Sequence, residues 1–178
     1  MNTDYKLLAR IMARRLRQVV ADQLQYTQYC GDPGNTINDA MSYVHDVTAH
    51  AESTGTPTCI LTLDFHNAFD RISHANLFNI LPQYGISPWF LERIRTLYTN
   101  TTPSVQINGN LAAPISIQAL SMVLYALCLH PFLCALSENL EGIQFGLGRR
   151  CTPVVAYADD ITVFVTNRAE FKFIHQTI

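Results

Sequence analysis

Apolar residues recur every three or four positions from Leu7 through Leu8, Ile11, Met12 and Leu16 to Val19, which predicts an amphipathic helix to about Val20, capped by Thr3 or Asp4. A turn-rich run, residues 28–35 (QYCGDPGN), interrupts the pattern. Thr36 then starts a second helix through about His50 that carries Ile37, Met41, Val44 and Val47 inward. After the break at Gly55-Thr56-Pro57, residues 58–63 (TCILTL) form a continuous β-branched and apolar run. That is the composition of a strand buried in a sheet, and it ends on Asp64.

Ser73 and Ser87-Pro88 mark helix starts and predict helices over residues 74–81 and 88–98. Asn108-Gly109-Asn110 is a hairpin signal between strands expected at 104–108 and 113–117. An apolar helix over 120–136 follows, and strands at 152–157 and 161–166 bracket Ala158-Asp159-Asp160. This interleaved order predicts an α+β fold with a mostly antiparallel sheet, helices packed on one face and no internal repeat.

Over 178 residues, 48% hydrophobic and 15% charged side chains exclude a disordered chain. Twelve Lys and Arg against 14 Asp and Glu give a net charge of −2, so no global positive field draws in a nucleic acid, and such a partner must be held locally. The first helix offers one local device: Lys6, Arg10, Arg14 and Arg17 recur at helical spacing, joined by Arg15. The stripe reads either as a solvated face or as a track for phosphates. Five cysteines with no C-x-x-C pair and no secretory leader predict reduced thiols in an intracellular protein, with neither a disulfide framework nor zinc. Residues 96–137 carry no charge and are long enough to suggest a membrane span. Pro131 lies inside the run, Ser121 and Tyr125 interrupt its apolar face and no basic cluster flanks it, so a buried core helix and no membrane are expected.

Tyr157-Ala158-Asp159-Asp160 sets two acidic side chains side by side on a tight turn between apolar strands. An aspartate-rich turn is the plain reading. Asp64 changes the balance, because it too ends an apolar strand. If the strands are neighbours, three carboxylates converge on one sheet edge, where like charges repel unless a hard cation neutralises them. Magnesium suits such a set because it prefers oxygen ligands, and two ions roughly 3.5–4 Å apart are the basis of in-line nucleotidyl transfer.

Leu63-Asp64-Phe65-His66-Asn67-Ala68-Phe69-Asp70-Arg71 resembles the L-D-F-x-x-A-F-D-[RK] block of reverse transcriptases from non-long-terminal-repeat (LINE-type) retrotransposons, and Tyr157-Ala158-Asp159-Asp160 resembles their Y-A-D-D block. Residues 2–15, 28–39, 84–86 and 120–132 extend the similarity over nearly the whole chain. The resemblance implies an RNA-directed DNA polymerase that takes an RNA template, a DNA primer and deoxynucleoside triphosphates, with a palm-like sheet over residues 58–178 and a partial helical fingers region over 1–57. Asp64 and Asp159 would be the main ligands of two Mg2+ ions, for which Mn2+ can substitute, and Asp160 a third, weaker one. Phe65 would offer a backbone oxygen. Phe69 would be the gate against a ribose 2′-hydroxyl, its alternative role being core packing. Gln118 would stand in the substrate pocket, and Lys6, Arg10, Arg14 and Arg17 on nucleic acid. No obligate oligomer is implied.

The departures from the family pattern are specific. The G-[VI]-R-Q-G-C-P block expected before Leu120-Ser121 is missing between Gln118 and Ala119, and Gly34-Asn35 stands where Gly-Arg is usual. Compared with the family, the palm and fingers are expected to be truncated, with no thumb. An active polymerase and a catalytically dead relic that binds RNA or a protein partner are therefore competing expectations.

Overall fold

A computed structural model describes residues 3–20, 23–24, 27–30, 34–98, 106–111, 121–145 and 149–178. Its elements, in chain order, are α1 (Thr3–Val20), α2 (Ile37–Thr54), β1 (Cys59–Asp64), α3 (Ala68–Arg71), α4 (His74–Ile80), a 3-10 turn (Leu81–Tyr84), α5 (Pro88–Tyr98), β2 (Gln106–Ile107) and β3 (Asn110–Leu111). After these come α6 (Met122–Asn139), β4 (Gln144–Phe145), β5 (Arg149–Arg150), β6 (Val154–Tyr157), β7 (Asp160–Val165) and α7 (Arg168–Thr177). The mixed α and antiparallel β composition agrees with the α+β expectation. The chain forms two compact units, one of residues 1–23 and 67–128, the other of residues 24–66 and 129–178.

In the first unit, α1 buries Met12, Leu16 and Val20. Leu7, Leu8, Ile11 and Val19, expected on its apolar side, are instead exposed, so the buried stripe is narrower than the sequence pattern implied. Thr3 is the first helical residue rather than a cap. α4 starts where Ser73 accepts a hydrogen bond from the Asn76 amide at 3.2 Å. α5 has the predicted bounds. The Asn108-Gly109 hairpin forms with φ of 51° and 85°, the paired positive values of a two-residue I′ turn. Because that turn puts Ile107 directly opposite Asn110, the second strand begins at once, not at residue 113. Residues 112–120, among them Gln118, lie outside the described residues.

The second unit is built on a three-stranded antiparallel sheet in the order β1-β7-β6. α2 has Thr36 as its cap and Asp39 as the reciprocal member of a capping box; it runs to Thr54, four residues beyond the expected end at His50, and is closed by Gly55 in the left-handed region. It buries Ala40, Val47 and Ala51 against Val155 and Phe164, while Ile37 and Met41, expected inside, are exposed. Small side chains let the helix lie close to the sheet, and the larger ones flank the contact. β7 is buried on both faces, with Phe164 on the α2 side and Ile161, Val163 and Val165 on the other, so the sheet is covered on more than the single face expected. β1 is an edge strand and not a buried one: Ile60 is 44% exposed, because among the described residues only β7 pairs with it.

The outer edge of β6 is closed by residues 27–29. The Tyr29 amide donates to the Ala156 carbonyl at 2.9 Å, and the Ala156 amide donates to the Thr27 carbonyl at 2.8 Å. α6 carries Pro131 and is, among the described residues, one helix long and apolar enough to cross a membrane. Its Val123, Leu124, Tyr125, Ala126 and Leu127 are buried, as are Leu129, Leu133 and Leu136.

Candidate active site

The strand register decides where the carboxylates go. Asp64, the last residue of β1, is the direct partner of Asp160, the first of β7, and Asp160 is in turn the partner of Tyr157 on β6. Directly opposed residues in an antiparallel pair lie about 4.5–5.5 Å apart at Cα and put their side chains on the same face. Asp159 occupies the two-residue turn between β6 and β7. The sheet therefore brings Asp64, Asp159 and Asp160 to one end, as the two motifs led one to expect. Asp64 and Asp160 are exposed and Asp159 is half-buried, and among the described residues no cation is ion-paired with any of them.

That turn carries backbone strain. Ala158 has φ of 57°, while Asp159 is not in the positive region, a pattern that fits a II′ turn, whose first central position ordinarily takes glycine. A non-glycine residue held there costs about 1–3 kcal/mol and persists only where the surroundings fix it. The side chain of Gln28 is one such constraint. It is 1% exposed, its Nε2 donates to the Ala158 carbonyl at 3.4 Å, and its Oε1 accepts from the Cys30 amide at 3.3 Å. Gln28 opens the 28–39 segment that shares in the family resemblance, but no chemical role was legible for it there. The signal available was a polar residue opening the turn-rich loop.

Around the sheet end, Phe65 stacks edge-on against Phe132 at 6.0 Å. An open groove lined by Ile37, Met41, Val44, Tyr157, Asp160 and Thr162 runs beside it between α2 and the sheet. Tyr43 on α2 accepts a 2.7 Å hydrogen bond from the Thr152 amide, and burial pushes its phenol up to about 12. No three His, Cys, Asp or Glu among the described residues form a ready-made metal cage.

Of the other expected site residues, Phe69, Lys6, Arg10, Arg14 and Arg17 belong to the first unit. Phe69 lies on α3 with its ring 4.6 Å from that of Tyr125. Lys6, Arg10 and Arg14 form an exposed row on α1, whereas Arg17 is half-buried and its Nε has no hydrogen-bond partner among the described residues. By composition this unit has eight Lys and Arg against four Asp and Glu, and the carboxylate-bearing unit four against ten. The net charge of −2 thus conceals a separation of sign.

The family described as "Reverse transcriptase (RNA-dependent DNA polymerase)" matches residues 1–178. The chain is 34% identical to the transposon TX1 uncharacterized 149 kDa protein of Xenopus laevis over 97% of its own length, and 26% identical, over 91%, to the retrovirus-related Pol polyprotein from type-1 retrotransposable element R2 of Popillia japonica. It spans 14% and 24% of the lengths of those two relatives. A third similar protein, at 23% identity over 89% of the chain, is the retrovirus-related Pol polyprotein from type-2 retrotransposable element R2DM of Drosophila melanogaster. With the family matched over residues 1–178, the chain belongs to the reverse transcriptase (RNA-dependent DNA polymerase) family.

Proposed function

We propose that this chain is a polymerase palm with part of its fingers, which extends a DNA primer along an RNA template with deoxynucleoside triphosphates. The observation that carries the reading is the opposition of Asp64 and Asp160 across β1 and β7 with Asp159 on the adjoining turn. In this reading residues 1–57 contribute the fingers and 58–178 the palm, roles toward nucleic acid that cut across the two compact units.

The donor set suits magnesium, with manganese as a substitute. A hard cation of this kind takes only one or two carboxylates beside substrate phosphates and water, so the lack of a closed protein cage is compatible with it. Asp64 and Asp159 would hold it, with Asp160 as the third carboxylate and the Phe65 carbonyl as a further oxygen. When bound, a metal pair activates the primer hydroxyl and stabilises the leaving pyrophosphate. The remaining roles fall to the chain's own groups. The Phe69 ring opposes a ribose 2′-hydroxyl, Gln118 contacts the nucleotide, and Lys6, Arg10, Arg14 and Arg17 attract backbone phosphate. Template, primer and nucleotides are available inside the cell, where such a protein would act.

The direct join of Gln118 to Ala119 favours a second reading, a domain of the same lineage that binds RNA without extending a primer. Misplacement of reacting groups by about 1 Å can cost on the order of a hundredfold, and a missing pocket segment exceeds that. Primer extension on an RNA template with magnesium, using the chain as it stands and a version with the block restored, separates the two. Extension abolished by Asp159→Asn supports the polymerase. RNA binding with no extension in either version supports the second reading.

A further inference from the structure

We infer that Gln28 is a positioning residue for the Asp159 carboxylate, acting through the peptide that joins Ala158 to Asp159; the inference rests on the reading of this turn as a metal-binding site. The carbonyl of Ala158 and the amide of Asp159 belong to one planar unit, so fixing that carbonyl fixes the plane from which the Asp159 side chain departs. Gln28 grips it from a place with little freedom to move. Backbone bonds on both sides of Gln28 tie its strand-like segment to Ala156, two residues before Ala158. The amide itself can be oriented in one way only: its oxygen end meets the N–H of Cys30, which leaves the amino end to face the Ala158 carbonyl.

The burial of this side chain needs a reason. Thr27, Gln28 and Glu170 are the buried polar or charged residues among those described, and a buried amide is retained at low cost only when its polar atoms are paired. Gln28 is paired, and one of its partners is the strained residue of the candidate site. Left-handed Ala158 would otherwise relax toward the negative-φ regions that alanine prefers, carrying the Asp159 peptide plane with it. The role is therefore that of an outer support for a ligand, which orients the carboxylate without touching the ion.

The test is a titration with Mn2+ followed by electron paramagnetic resonance, read beside the melting temperature of each variant. Gln28→Met keeps the length and removes the donor. Gln28→Glu keeps an acceptor for Cys30 and presents an oxygen to the Ala158 carbonyl. Glu170→Gln, at the start of α7, is the comparison for lost stability away from the turn. The expected result is an Mn2+ Kd raised about tenfold or more in a folded Gln28 variant, while Glu170→Gln melts earlier and binds Mn2+ as the wild type does. A wild-type Kd in a folded Gln28 variant, with binding still weakened by Asp159→Asn, would overturn the inference and leave the metal-site reading intact. Wild-type protein whose Mn2+ binding is absent, or indifferent to Asp159→Asn, would overturn that reading and the inference with it. Failure of both Gln28 variants to fold would make Gln28 a core residue only and would also overturn the inference.

Discussion

Asp64 and Asp160 face each other as direct partners across β1 and β7, two carboxylates from distant parts of the chain set on one face of one strand pair. Nature rarely leaves like charges in this arrangement without a purpose, because cross-strand repulsion weakens the sheet. In metal-free protein, Asp160→Asn should therefore raise stability by about 0.2–1 kcal/mol, measured by urea denaturation in the presence of a chelator. A loss of stability would mean that the carboxylate is held by interactions that outweigh the repulsion.

The strain at Ala158 predicts that glycine at this position stabilises the fold. Ala158→Gly removes the Cβ that makes φ of 57° unfavourable and should stabilise the fold by about 1 kcal/mol. Calorimetry reads the gain. In contrast, Gly142→Ala should destabilise strongly, since a Cβ there would run into the Cys151 carbonyl and Gly142 itself sits at φ of 69°.

Glu170 governs part of the acid response. Burial alone would raise its pKa, but hydrogen bonds from the amides of Glu141 and Thr166 and from the Thr166 hydroxyl outweigh that and hold it below its ordinary 4.5. A carboxyl depressed in the folded state binds its proton less readily there than in the unfolded chain. Its contribution is thus fully present above about pH 4.5 and is lost as pH falls through the lower folded value. Glu170→Ala should cost about 2 kcal/mol at neutral pH, with the difference from wild type shrinking in acid, as followed by denaturation at a series of pH values.

Phe69 is expected to select the sugar. With the missing block restored, Phe69→Val should raise ribonucleotide incorporation relative to deoxynucleotide incorporation, measured by competitive primer extension, because the smaller side chain leaves space for a 2′-hydroxyl. An unchanged ratio would assign Phe69 to packing against Tyr125 alone.

Local signals in the sequence carried well where one residue type imposes one geometry. Asn108-Gly109 specified its hairpin, Ser87-Pro88 the start of α5, and Thr36 the start of α2. What hydrophobicity alone could not reveal was which apolar side chains have a partner. Ile37 and Met41 look like core residues and are exposed, while the less conspicuous Ala40 and Ala51 form the contact, because close approach to β6 requires small side chains. Residues 58–63 have the composition of an interior strand, yet β1 lies at an edge, a matter of pairing order that no local pattern encodes. α7 follows β7 directly, and Asn167 with Glu170 forms its start signal. The carboxylates were legible because their motifs are specific. Gln28 was not, because its role depends on a contact 130 positions away.

Thermal unfolding with and without Mn2+ measures most directly whether Asp64, Asp159 and Asp160 hold a divalent cation. A ligand that binds only the folded state stabilises it by about 2.7 kcal/mol at a hundred times its Kd. Wild-type protein should melt at progressively higher temperature as Mn2+ is added, and Asp64→Asn and Asp159→Asn should lose most of that rise. An equal rise in wild type and both variants, or none in wild type, would contradict the account.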